Sequence, residues 1–249
     1  MAPNHPTLEN DAIQEAVFEI RFERSTKVVP EIFFGKISDY EDWSEYGQVR
    51  LPLSEIPESI RRSDPGLQHK PVIELVSPDG KRAIRIGPDV LIASRRGNYP
   101  GWEGGFRSEI QEISKRLFDV QKELAIRRLG MRYINALRSD LHGINSCDDL
   151  EMELKVADTD VSQDFSLNFR TNVGTDFEAM NRVATVKFAA GSIPENTTVV
   201  LDIDVHTSDG FQVDSYDGVI QWAEKARTEK NDRFFSVLGQ DATERLRKK

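Results

Sequence analysis

Two stretches of this chain hold side chains whose types and spacing could do chemistry. In Leu201-Asp202-Ile203-Asp204-Val205-His206, the polar residues Asp202, Asp204 and His206 alternate with apolar ones. On a strand they share a face, roughly 7 Å apart at each step. Two carboxylates and an imidazole offer the oxygen and nitrogen donors that suit Mg, Mn or Zn. The competing reading makes Leu201, Ile203 and Val205 the buried face and leaves the trio as the solvated one. The second stretch is cationic: Lys81, Arg82, Arg85, Arg95 and Arg96, followed by Tyr99 and Trp102. Arginine forks pair bidentately with phosphate and aromatic rings stack on bases, so Arg82, Arg85, Arg95, Arg96, Tyr99 and Trp102 form a candidate site for a nucleotide or single-stranded nucleic acid. Asp79 and Asp89 lie in the same region, and arginines at a solvated sheet edge would equally discourage edge pairing.

The elements that must position these residues are legible from periodicity. Ala83-Ile84-Arg85-Ile86 and Val90-Leu91-Ile92-Ala93 flank Gly87-Pro88-Asp89, which predicts a hairpin in which Gly tolerates positive φ and Pro presets φ near −65°. Asn98-Tyr99-Pro100-Gly101-Trp102 turns the chain. Phe106, Ile110, Ile113, Leu117 and Val120 then recur at steps of three and four, predicting a long helix with one core-facing stripe. A strand follows over Leu129–Leu137, with Leu129, Met131, Tyr133 and Leu137 on one face and Arg132 and Ile134 on the other. Arg127, Arg128 and Arg138 extend the basic zone, and Arg132 opposite Glu19 or Glu23 would make a cross-strand pair.

Upstream, Met1 to Asn10 read as a loose polar arm. Ala16, Phe18, Ile20 and Phe22 alternate with Val17, Glu19, Arg21 and Glu23, the pattern of a half-buried strand. Pro30 opens a helix whose apolar side would be Ile32, Phe33, Ile37 and Tyr40. A short strand over Gln48–Leu53, a short helix or turn over Leu53–Arg62, and a strand over Val72–Val76 complete the first half. Downstream, Asp148–Val156 is ambiguous between strand and helical turn. Phe165–Arg170, Ala184–Phe188 and Thr198–Val205 alternate as strands, with Gly191–Asn196 as the turn between the last two. A second long helix carries Val219, Trp222, Ala223, Ala226 and Phe234 to Leu238, and the basic end from Arg245 reads as frayed. The pattern implies an α+β fold of mainly antiparallel sheet with two long packed helices. The halves, residues 1–126 and 127–249, repeat a similar order of elements and are read as a pseudo-duplication packed as one unit.

Of the 249 residues, 38% are hydrophobic and 30% charged, and no apolar run approaches the ~20 residues of a membrane span. The start lacks the basic and then apolar pattern of a signal peptide, and one cysteine, Cys147, excludes an intrachain disulfide or a cysteine-rich zinc site. These features place the protein in the cytoplasm. A net charge of −9 disfavours nonspecific nucleic-acid binding. The charge is segregated: Lys81–Arg138 holds 13 Lys and Arg against 6 Asp and Glu, whereas Ser139–Gly218 holds 4 against 16. Opposite blocks suit a protein partner or self-association as a homodimer, and equally surface charge with no partner. No phosphate-cradling loop, dinucleotide turn, nucleophile elbow or metalloprotease helix is present, the loop histidines His5, His69 and His142 make no triad, and the cofactor is left unknown. Whether the protein is an enzyme stays open at this point.

Three stretches, Gln14-Glu15-Ala16-Val17-Phe18-Glu19-Ile20-Arg21-Phe22, Tyr99-Pro100-Gly101-Trp102-Glu103 and Arg128-Leu129-Gly130-Met131-Arg132-Tyr133-Ile134-Asn135, resemble a sporadically distributed family of uncharacterised prokaryotic proteins of about this length. The resemblance implies a stand-alone cytosolic protein with the patchy occurrence of genes in mobile or defence-related islands, and it brings no catalytic residue. The expectation is a noncatalytic interaction or regulatory protein, a component or neutraliser in a defence or toxin-antitoxin type system. The alternative is a nucleotide- or nucleic-acid-handling protein, metal-dependent through Asp202, Asp204 and His206.

Overall fold

A computed structural model describes residues 5–23, 29–121, 124–173, 177–188 and 193–248. The fold is α+β, a large antiparallel sheet with helices, and among the described residues no helix is long and apolar enough to cross a membrane. In chain order the elements begin with β1 (Ile13–Glu23), α1 (Pro30–Ser38), β2 (Gly47–Arg50), α2 (Glu58–Ser63), β3 (Ile73–Val76), β4 (Arg82–Gly87), β5 (Val90–Arg96) and α3 (Arg107–Val120). They continue with β6 (Ala125–Arg138), α4 (Ser139–His142), β7 (Lys155–Val156), β8 (Thr159–Asp160), β9 (Ser166–Val173), β10 (Phe177–Thr185), β11 (Thr197–Thr207), α5 (Tyr216–Leu238) and α6 (Gln240–Leu246). The chain divides into two compact units. One comprises Met1–Glu15, Met131–His206 and Glu224–Lys249, the other Ala16–Gly130 and Thr207–Ala223. The residue 126/127 boundary falls inside β6.

The second of these units has strands in the hydrogen-bonded order β2-β3-β4-β5-β1-β6. β1 follows its alternation: Ala16, Phe18, Ile20 and Phe22 are buried, each large one stabilising the fold by roughly 1.5–3 kcal/mol. Phe22 meets Phe33 of α1 at 5.5 Å between ring centroids, and Phe18 meets Trp222 of α5 at 6.2 Å. In α1 only Phe33 and Ile37 of the expected stripe are buried, and Ile32 stands 53% exposed. Helical spacing explains this, since Phe33 and Ile37 are one turn apart and Ile32 lies about 100° round from Phe33. α3 buries Phe106, Ile110, Ile113 and Leu117 of the expected stripe but leaves Val120, at its C-terminal end, half-buried, and it follows an irregular turn over Trp102–Phe106. Gly101, at φ 82°, makes the bend after Pro100, a conformation in which a side chain is strained.

The other unit has the order β6-β11-β10-β9, with the short β7-β8 ladder separate. Tyr133, Leu137, Val199, Leu201, Ile203 and Val205 form its core. Here the structure departs from expectation in several places. β10 begins at Phe177 and ends at Thr185, so Val186–Phe188, expected as strand, form a 3-10 turn. Asp148–Val156 contains the end of a 3-10 turn over Cys147–Asp149 and then β7, the turn closed by a capping box between Ser146 and Asp149. Of the expected turn Gly191–Asn196, residues 191 and 192 lie outside the described residues.

Neither terminal segment is loose where it is described. Leu8 bridges Arg247, the Glu9 amide donates to the Leu246 carbonyl at 2.8 Å, and the Lys248 amide donates to the Thr7 carbonyl at 2.9 Å. His5 stacks on Phe235 at 4.6 Å and pairs with Asp232 at 2.5 Å. The two segments satisfy each other's backbone groups, which neither could do alone.

Gly87, placed by sequence in a positive-φ turn, is required for another reason. A Cβ there would lie 2.7 Å from Val90 Cγ1 and 2.8 Å from the Lys70 carbonyl oxygen. Gly87→Ala is expected to destabilise the fold by about 1–3 kcal/mol through overpacking, read as a lower urea midpoint at unchanged m-value. A midpoint equal to wild type would remove the close-approach account.

Candidate functional site

The β4-β5 hairpin has the register Arg82↔Arg95, Arg85↔Ile92 and Gly87↔Val90. Arg82 and Arg95 therefore stand directly opposite each other, where like charges repel. α3 supplies the compensation. Glu109 and Glu112, three residues apart on one helix face, reach down to the pair: Arg95 meets Glu109 Oε1 at 2.6 Å, and Arg82 meets Glu112 Oε2 at 2.9 Å and Glu109 Oε1 at 3.5 Å. Glu109 is only 4% exposed. Burial pushes its carboxyl above the ordinary range, while Arg82 and Arg95 pull it back. Glu112 Oε1 also accepts the Trp43 indole N–H, and the Arg82 guanidinium lies 5.8 Å from the Tyr46 ring centroid.

Arg85 and Arg96 belong to the opposite face, because residues an odd number apart on a strand point to opposite sides. Both reach one carboxylate, Glu74 on β3, each at 2.8 Å to Oε1. Glu74 is the direct cross-strand partner of Arg85. The four candidate arginines are thus divided two and two between faces. Tyr99 and Trp102 pack on Phe106 at 5.8 and 6.4 Å between centroids, with Trp102 5% exposed.

On the same unit, Arg128 reaches Glu19 at 2.5 Å and Arg127 pairs with Glu23. The cross-strand partners expected of Arg132 are taken by these two arginines instead. Arg21 also meets Glu19, at 2.7 Å. His69 lies near this cluster, and burial followed by the Arg21 charge lowers its imidazole below the ordinary value.

In the other unit Arg132 forms a bidentate pair with Asp202, 2.7 Å to Oδ1 and 2.5 Å to Oδ2. Asp202 is 9% exposed rather than solvated. His206 Nε2 lies 3.7 Å from Glu178 Oε2 on β10, which lies 3.4 Å from Arg170 on β9. Asp204 sits between them in sequence on β11, half-buried. Among the described residues, no three His, Cys, Asp or Glu side chains are gathered closely enough to hold a metal ion. Cys147 is buried, and burial, aided by Asp148, pushes its thiol up to about 11, which suppresses the thiolate a nucleophile needs.

Two features were not anticipated. Phe34, Ser38, Asp39, Tyr40, Trp43 and Gln48 line part of a cavity of about 770 Å³ beside α1. The signal for it was the run Asp39-Tyr40-Glu41-Asp42-Trp43-Ser44-Glu45-Tyr46, which interleaves aromatic and acidic residues. The second is Lys230 on α5, 8% exposed, whose ammonium lies 3.9 Å from the Tyr133 ring centroid.

Compared with protein-family models and with curated proteins, the chain matches none.

Two expected outcomes follow from these contacts. Glu109→Ala strips the shared counterion from Arg82 and Arg95 and should cost about 3 kcal/mol in chemical denaturation; a loss below about 0.5 kcal/mol, the scale of ordinary surface changes, would refute the brace. For Lys230, burial lowers the amine from 10.5 to about 7, assisted by Arg227 and opposed by Asp11, while the Tyr133 face also attracts the cation. The unfolded chain then takes up this proton before the folded one does as pH falls. The stability associated with the neutral amine is present above pH 10.5 and lost towards pH 7. Lys230→Met should flatten the slope of stability against pH in that window, and an unchanged slope would count against it.

Proposed function

We propose that this is a noncatalytic interaction or regulatory protein, acting in the cytoplasm on a protein partner or a second copy of itself. It belongs with components or neutralisers of prokaryotic defence or toxin-antitoxin type systems. The observation that carries the reading is the disposition of the hairpin arginines. They are split between two sheet faces and engaged by Glu74, Glu109 and Glu112, so the charge that would draw in a phosphate is largely spent inside the fold. Among the described residues, four of the eight exposed large apolar side chains fall over 29–60, at Val29, Ile32, Val49 and Ile60, which suits protein docking on that stretch. The defence-related context rests on the resemblance of the three sequence stretches alone.

The reading includes an internal duplication. In the first half the opening strand β1 neighbours the last strand β5, in the second the opening strand β6 neighbours the last strand β11, and each last strand precedes a long helix, α3 or α5. That repeated order supports it.

The test is co-expression with the native gene neighbours followed by purification and light scattering. A stoichiometric protein partner or a homodimer is expected. A monomer carrying bound nucleotide or metal would overturn the reading.

A further inference from the structure

β2 lies at the end of the strand order, so among the described residues it has one strand neighbour, β3. All four of its residues are exposed. Its free side can be assigned residue by residue. The Leu51 amide donates to the Val72 carbonyl at 2.9 Å, and the antiparallel register continues as Arg50↔Ile73, Val49↔Glu74, Gln48↔Leu75 and Gly47↔Val76. Bonded and non-bonded pairs alternate in an antiparallel ladder. With 51–72 bonded, 49–74 and 47–76 are bonded as well. Gln48 and Arg50 consequently direct their backbone N–H and C=O away from β3, towards the open edge.

The cavity beside α1 opens at this edge, and Gln48 contributes to its lining. Its aromatic wall is Tyr40 against Trp43, ring centroids 5.0 Å apart at 71°. Around it the chain from residue 39 to residue 49 carries Asp39, Glu41, Asp42 and Glu45 and no lysine or arginine. Tyr40 already accepts a cation from within the molecule: the Arg116 guanidinium lies 5.1 Å from its ring centroid, held by the Ile37 carbonyl at 3.3 Å and by the carbonyls of Lys36 and Asp39.

We infer that the open edge of β2 and the Tyr40–Trp43 cavity bind an extended, basic segment of a protein partner by strand addition. Main-chain bonds to Gln48 and Arg50 supply the pairing, and the partner residue opposite Gln48 points its side chain to the same face as Gln48, into the cavity. An arginine or lysine there finds the carboxylates of Asp39 and Glu41, which line the cavity beside the Tyr40 ring that Arg116 already occupies. A second copy of the chain is a poor occupant, because pairing β2 with itself would bring two acidic runs together. The inference rests on the interaction-protein reading and names the surface and the chemistry of its partner.

The probe is a fluorescein-labelled peptide of alternating arginine and valine, read by anisotropy with the full chain, with a glutamate–valine peptide as control. Saturable binding of the basic peptide alone is expected. Gln48→Pro removes an edge-facing donor without touching a β2-β3 bond and should weaken it at least about tenfold. The exposed pair Asp39→Asn with Glu41→Gln should weaken it similarly and reduce its salt dependence, with all variants melting as wild type. No saturable binding, equal binding of the acidic peptide, or full affinity in Gln48→Pro overturns the inference. The native partner separates the two claims. If wild type retains it and Gln48→Pro loses it, the inference is supported; if both retain it, the inference fails and the interaction reading stands; if wild type retains none and remains monomeric, that reading fails too.

Discussion

Two arginines facing each other across a hairpin are a constraint that the surrounding structure has to answer. Arg82 and Arg95 cannot share one face of β4 and β5 without counterions, and the counterions come from Glu109 and Glu112 of α3. α3 meets the sheet with the apolar stripe of Phe106, Ile110, Ile113 and Leu117 in the core, and Glu109 and Glu112 beside that stripe reach the arginines. Glu112 passes the constraint on to the Trp43 indole, which anchors the acidic loop and the cavity beside α1. A solvent-exposed pair would do little of this, but a carboxylate as buried as that of Glu109 has few alternative places to go.

The same economy runs through the strands on either side. Glu74 serves Arg85 and Arg96, Glu19 serves Arg21 and Arg128, and Asp202 takes both prongs of Arg132. Most of these carboxylates, Glu19, Glu74, Glu109 and Glu112, lie outside the acidic stretch 139–218, and of the partners named only Asp202 comes from it. The arginines of the six-residue cationic candidate each carry a structural ion pair, and its Tyr99 and Trp102 pack on Phe106.

What could be read in advance was what depends on period. The alternation of β1 and, up to Leu117, the three-and-four spacing of α3 report which face is buried and are found so, whereas the continuous apolar runs of the β4-β5 hairpin are buried on both faces. Period does not report partners: Arg132 was given to Glu19 or Glu23 and lies with Asp202, because a one-strand change of neighbour leaves the alternation untouched. β10 escaped since Phe177-Glu178-Ala179-Met180-Asn181-Arg182 mixes polar and small residues, although Phe177, Ala179 and Asn181 are buried. The polar segment His5–Asn10 has no period at all, and its order comes from the C-terminal residues it meets. The cavity was hidden because an acid-and-aromatic run reads as a solvated loop until a helix and a sheet edge are set beside it.

The pairing of residues 7–9 with residues 246–248 bears on how the molecule comes to be made. One compact unit gathers chain from three separated stretches, while the other takes all but its last seventeen residues from a single continuous run, Ala16–Gly130. During synthesis that run can begin to collapse on local contacts while the rest is still being translated. The unit holding the outer segments has residues 7–9 waiting for their partners until translation reaches Lys248. Its assembly is late and of high contact order, and a nascent chain halted short of that point would display unpaired strand edges to the cell's chaperones and proteases.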